Sequence, residues 1–212
     1  PNTGINMIGL KFGLVYDINK DLSSQFQSIS SNAPEFMRHI SYDLVLFGSW
    51  RRRGIEYDGG MMASPDAYPV LGFNFNPMYN INYRFRTGVS FDGVYDGSAN
   101  VYINYNEPIE PRGISDIPYK ISRPSLDKQL ALGISARAEY VMPYFTINFG
   151  IGTNLIHGGG ELNFFYQILA LKMDISQNLF LHIGYNLKNF HEPNYLMLGF
   201  GYRFHNKRPR YH

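Results

Sequence analysis

The sequence predicts an all-β protein, a transmembrane antiparallel up-and-down β-barrel of about ten strands. Three observations lead there. Apolar and polar residues alternate over stretches of about ten residues, the length a tilted membrane-crossing strand needs. The polar parity of those stretches is Gly, Ser and Asn with scattered Arg, Asp and Glu. That mixture suits a narrow lumen filled by small residues and ion pairs, whereas a water-soluble sandwich would present a Lys- and Glu-rich outer face. Finally, short and long connections alternate along the chain, as they do between the periplasmic and outer ends of such barrels.

Composition agrees. The 212 residues include 17 Tyr and 16 Phe. Charged residues make up only 17%, against roughly 25% in soluble domains. The length fits one domain. The 21 Gly and 12 Pro are spread along the chain, which argues for many turns and against long helices. There is no cysteine, so a disulfide framework, a thiolate nucleophile and a cysteine zinc site are all excluded. A net charge of +2 lacks the concentrated basic face of a nucleic-acid-binding protein. No apolar run approaches the ~18 residues of a spanning helix.

The strands follow in order. In residues 6–17, Ile8, Leu10, Phe12, Leu14 and Tyr16 alternate with Gly9, Lys11 and Gly13, and residues 22–30 have β character with weaker alternation. Eight further segments cover residues 41–53, 69–80, 83–95, 128–141, 144–156, 163–176, 178–190 and 194–205. These eight close an even barrel unaided, so the alternative to ten strands is eight plus an N-terminal segment. In residues 130–140 one parity reads Leu130, Leu132, Ile134, Ala136, Ala138, Tyr140 and the other Ala131, Gly133, Ser135, Arg137, Glu139. Residues 145–152 and 179–188 repeat the pattern, the latter with Leu181 and Ile183 opposing His182 and Gly184. Tyr79 to Asn82, Met142-Pro143 and Ser176 to Asn178 read as the short periplasmic turns; residues 51–69, 96–128 and 157–163 are the longer outer connections. The reading is one barrel over residues 1–204, followed by a short basic periplasmic tail, 205–212, with Lys207, Arg208 and Arg210.

Several stretches carry a family likeness: Tyr83-Arg84-Phe85-Arg86-Thr87-Gly88-Val89 leading to Tyr95-Asp96-Gly97-Ser98, then Leu132-Gly133-Ile134, Phe165-Tyr166-Gln167 and the closing Gly199-Phe200-Gly201-Tyr202-Arg203-Phe204. From about Tyr42 to Phe204 the chain resembles the lipid A deacylase or acyloxyacyl-hydrolase-like outer-membrane barrels of Gram-negative bacteria. The resemblance implies location in the bacterial outer membrane. It also implies contact with outer-membrane lipid, in particular lipopolysaccharide, and a hydrolytic histidine and serine helped by an acid. In the last hairpin, where that resemblance places a histidine and a glutamate, this chain carries Asn189 and Met197. The one His-x-Ser spacing, His39-Ile40-Ser41, falls at the periplasmic end of a strand. The expectation is therefore a non-catalytic barrel acting as a lipopolysaccharide-contacting scaffold or as partner of another envelope protein. An active lipid A ester hydrolase and a narrow solute channel are the alternatives.

Candidate residues follow from this topology. The loop histidines His157 and His191 are the remaining candidates for a catalytic base, with Thr153 the nearest hydroxyl. Arg51, Arg52 and Arg53 stand after Trp50 at an outer strand end, where guanidinium forks suit lipopolysaccharide phosphates. Arg84, Arg86, Asp92, Arg137 and Glu139 fall on inward parities and are expected to form one lumenal ion-paired cluster. No metal-binding or phosphate-loop spacing occurs in the sequence, and no cofactor is expected.

Overall fold

Twelve strands follow one another in the computed structural model, which describes residues 36–57, 59–109, 119–190 and 192–205. They are β1 (His39–Arg51), β2 (Gly54–Tyr57), β3 (Gly60–Ala63), β4 (Tyr68–Asn80), β5 (Phe85–Asp96), β6 (Tyr102–Pro108), β7 (Tyr119–Ser122), β8 (Leu130–Val141), β9 (Phe145–His157), β10 (Phe165–Asp174), β11 (Leu179–Lys188) and β12 (Glu192–Phe204). Eight of them close an antiparallel barrel in the order β1-β12-β11-β10-β9-β8-β5-β4. The pairs β2–β3 and β6–β7 form separate two-stranded hairpins within the long connections.

Closure with eight strands, the alternative to about ten, follows from β1. One of its edges pairs with β4 from His39↔Asn80 to Arg51↔Tyr68, and the other with β12 from Tyr42↔Phe204 to Gly48↔Leu198. A ring paired on both sides of every strand has no edge left for another. Residues 6–17 and 22–30, expected as additional strands, lie outside the described residues, as do His191 and the basic tail residues Lys207, Arg208 and Arg210.

Alternation explains the wall. Along β8, Ala131, Gly133, Ser135, Arg137 and Glu139 are buried, while Leu130, Leu132, Ala136 and Ala138 are exposed. A face with Leu, Phe and Ile outside and charge inside is stable only against lipid. The short connections 81–84, 142–144 and 175–178 gather with the start of β1 and the end of β12 at one end; both hairpins belong to the other end. Two bulges interrupt the ladders there. Leu155 of β9 has no partner between Leu132↔Ile156 and Gly133↔Asn154, and Asn194 of β12 has none between Asn186↔Tyr195 and Leu187↔Pro193. Such bulges re-aim side chains, and the one at Asn194 matters below.

Candidate functional site

The lumen is a continuous network of ion pairs. Asp43 takes two bonds from Arg203, Nε to Oδ1 at 2.7 Å and Nη2 to Oδ2 at 3.0 Å. Lys172 donates to Asp43 at 2.8 Å and to Glu139 at 2.5 Å. Glu139 pairs with Arg86 at 3.3 Å and accepts from Asn148 at 2.9 Å, and Asn148 in turn accepts from Arg137 at 3.2 Å. Arg137 reaches Asp92 at 2.8 Å. Asp92 also accepts from Ser90, Ser135, Tyr166 and Asn74. With Asp174 at 3.7 Å from Arg203, four carboxylates (Asp43, Asp92, Glu139, Asp174) face four cations (Arg86, Arg137, Lys172, Arg203). Among the described residues these lumenal charges balance, and each of the eight has the partner that burial demands.

Towards the outer end this ionic layer gives way to an apolar plug. Val45, Phe47, Val70, Phe164, Tyr166, Ile168, Tyr195 and Met197 pack together, with the rings of Phe47 and Tyr195 stacked 6.2 Å apart. The cavity between plug and network measures about 10 Å³, room for about one water molecule and no solute.

Of the five residues expected to cluster in the lumen, Arg86, Asp92, Arg137 and Glu139 belong to this network. Arg84 does not: it is exposed on the turn before β5. Asn82 Oδ1 accepts the backbone N–H groups of both Arg84 and Phe85 at 2.8 Å. That side-chain turn holds Arg84 outside the ladder, so its parity with Arg86 has no consequence. Asp43 and Arg203 belong to the centre of the network, yet sequence reasoning did not single them out; their signal is one acid and one base, each on the inward parity of an otherwise apolar strand. His182 faces the lumen opposite Lys172, buried, with neither ring nitrogen hydrogen-bonded.

The three consecutive arginines separate. Arg51 turns into the barrel mouth, with Nη2 2.8 Å from Asp96 Oδ2, Nε donating to Ser98 Oγ at 2.7 Å and Nη1 to the Asn194 carbonyl at 2.9 Å. The bulge at Asn194 supplies that last partner, and its side-chain amide oxygen accepts from Arg51 as well. Arg53 donates to the Ser98 carbonyl at 3.1 Å. Arg52, between them, is exposed. Alternation alone would have divided the triplet this way.

His157 ends β9, and its Nδ1 accepts the Gly159 N–H at 3.1 Å, which leaves Nε2 as the protonated nitrogen. Asp127 lies on the adjacent connection, its carboxyl held below the ordinary carboxylate range by a hydrogen bond from Ser125. His191 lies outside the described residues. Thr153 sits in the ladder between Ile134 and Phe165. Asn189 occupies the turn after β11, its N–H bonded to the Phe165 carbonyl at 2.9 Å, and Met197 points inward, fully buried. His39 stands at the short-turn end with Nδ1 bonded to the Met37 carbonyl at 2.9 Å.

Residues 40–206, which span the whole barrel ring, match the family model described as the acyloxyacyl hydrolase C-terminal domain. The chain belongs to this family. As a member of the acyloxyacyl hydrolase C-terminal domain family it is an integral β-barrel protein of the bacterial outer membrane, as the resemblance in the sequence implied. A comparison with curated protein sequences finds no match. Among solved structures, the attachment invasion locus protein Ail of Yersinia pestis is similar with a TM-score of 0.41 and 16% identity, over 79% of this chain and 100% of that one. KdgM porin is similar with a TM-score of 0.30 and 13% identity, over 78% and 99% of the two chains.

Proposed function

We propose that the protein contacts lipopolysaccharide as a non-catalytic outer-membrane scaffold. The observation that carries this reading is the state of the last hairpin. Where the family resemblance calls for a histidine and a glutamate, Asn189 is a turn residue and Met197 is buried against the lumenal plug. His182 is separated from membrane lipid by the barrel wall, so it cannot serve an ester outside. The exposed Arg52, beside the outward-facing Trp50, is the arginine of its triplet with a free approach to an outer-leaflet phosphate. The 10 Å³ lumenal cavity speaks against a solute channel.

Mass spectrometry of lipid A from cells with and without the protein tests the reading. Identical acylation patterns, together with lipopolysaccharide or an envelope protein co-purifying with the folded barrel, are expected. One observation favours the hydrolase reading instead: Asp127 and His157 line the same outer cleft, with Ser125 bonded to Asp127. Loss of an acyl chain in the presence of wild-type protein, but not of His157→Ala, would decide for hydrolysis.

A further inference from the structure

Charge is divided unevenly between the two ends of the barrel. Among the described residues the exposed carboxylates are Glu56, Asp66, Glu107, Asp127 and Glu192, and all five stand on the long connections or strand ends of the outer side. The short-turn end exposes none of them. The acid nearest its turns, Asp174, is directed at Arg203 at 3.7 Å. What that end exposes instead is Arg38, just ahead of β1, and Arg84, in the turn before β5.

These two arginines belong to one patch. The ring of Phe36 meets that of Tyr83 edge-on, with centroids 4.7 Å apart, so the segment that carries Arg38 packs on the turn that carries Arg84. Asn82 fixes that turn by accepting the Arg84 N–H at 2.8 Å. Neither guanidinium has an ion-pair partner among the described residues. Next to them the wall is apolar: Ile40 and Tyr79 face each other in register on β1 and β4, and Phe85 follows Arg84, all three exposed. The turns at this end, 81–84, 142–144 and 175–178, are too short to lift the arginines beyond the headgroup layer.

We propose that this patch binds the headgroup of an anionic phospholipid in the inner leaflet of the membrane. Two guanidinium forks suit a phosphate, and cations within reach of a charged leaflet favour its anionic lipids. No exposed carboxylate stands by to hold an ammonium, so phosphatidylglycerol is preferred to zwitterionic phosphatidylethanolamine. The apolar residues beside the arginines receive the acyl chains, which selects a lipid over a soluble anion or a cell-wall carboxylate. The site lies at the opposite end from the outer-leaflet contact proposed above and does not depend on it.

Native mass spectrometry of the full chain in detergent, with phosphatidylglycerol or phosphatidylethanolamine added, tests it. Wild type should retain phosphatidylglycerol in preference to phosphatidylethanolamine. The double replacement Arg38→Gln with Arg84→Gln should lower that retention about tenfold, whereas Lys128→Gln, at the outer end, should match wild type. Folding is checked by circular dichroism, and if the double variant does not fold, Arg84→Gln alone decides. Undiminished retention in the folded variant would overturn the patch, and equal retention of the two lipids by wild type would overturn the selection for an anionic headgroup. A wild type that ignores phosphatidylglycerol but sediments with purified peptidoglycan, through the same two arginines, would overturn the phospholipid in favour of cell-wall carboxylates. Each of these results leaves the outer lipopolysaccharide contact standing.

Discussion

Asp43 and Arg203 face each other directly across the seam where the first and last barrel strands meet, and the guanidinium grips both carboxylate oxygens at 2.7 and 3.0 Å. These residues are 160 positions apart in sequence. The pair therefore closes the ring and joins it to the lumenal network through Lys172, which shares Asp43 with Arg203. One ring of β11 supports it: Lys172 and Arg203 lie over Phe180, 5.1 and 5.0 Å from the ring centroid, where its quadrupole offsets part of their lost hydration.

Asp43→Ala leaves the Arg203 guanidinium buried without its principal partner, and removing one side of a buried pair costs about 3–5 kcal/mol. The expected result in a chemical unfolding titration of the refolded barrel is a loss of that order. The double replacement Asp43→Leu with Arg203→Met should lose less than Asp43→Ala alone, because no guanidinium is stranded and Lys172 keeps Glu139. Equal or greater loss in the double variant would show that the seam needs the ion pair itself.

Ile134 sits near the middle of β8 on the outward parity, between Phe91 and Thr153. Ile134→Arg places a charge in the hydrocarbon and should cost about 2–4 kcal/mol, read in the same titration. Ser135→Ala, one position away and inward, removes a single donor to Asp92 and should cost only about 1 kcal/mol. A reversed order would mean that the apolar face does not meet lipid.

These contrasts also show what was legible in the sequence. The inward residues of β8 were readable because the period of two assigns every side chain of a strand to one face once any one is assigned. Strand count was harder, because closure is decided by which edges pair, and alternation such as that of residues 6–17 does not say which edges those are. Arg84 shares its parity with Arg86 and was misplaced in the lumen: the Asn82 side chain ends the strand one residue short, and turn chemistry does not register in a count of alternation. Asp43 and Arg203 could be seen as inward, but only their register brings them together.

The mouth arginines should separate by function. Arg51 is committed to Asp96, Ser98 and Asn194, so Arg51→Ala should loosen the outer connections and expose residues 97–129 to added protease. Arg52→Ala should leave protease resistance unchanged and weaken lipopolysaccharide retention, because its side chain is the exposed one. Matching effects from the two variants would contradict the division.

A plugged lumen predicts silence in a planar bilayer. The layer of Asp43, Arg203, Lys172, Glu139 and Arg86 has its charges mutually paired, and the plug above it leaves about 10 Å³. No stable single-channel conductance is expected from purified wild type at moderate voltage. Steady openings would require the network to separate, and would move the channel alternative ahead of the scaffold.

The last prediction is that the purified protein does not release acyl chains from lipid A, and that Asn189→His does not confer the activity. Ester hydrolysis needs a hydroxyl within hydrogen-bond reach of a base, with an acid orienting that base, all at the height of the ester. A histidine at 189 would stand on a turn whose φ is +50°. The neighbouring Phe190 N–H is bonded to Gln167 Oε1 at 2.6 Å, which ties the turn down onto the wall. The orienting acid would still be missing, because position 197 is buried inside the barrel. Met197→Glu would supply a carboxylate on the wrong side of the wall and should destabilise the plug without restoring hydrolysis. Mass spectrometry of lipid A incubated with each protein reads the outcome. Deacylation by Asn189→His alone would mean that a serviceable hydroxyl already stands beside that turn, and deacylation by wild type that is lost in His157→Ala would place the chemistry at the cleft instead.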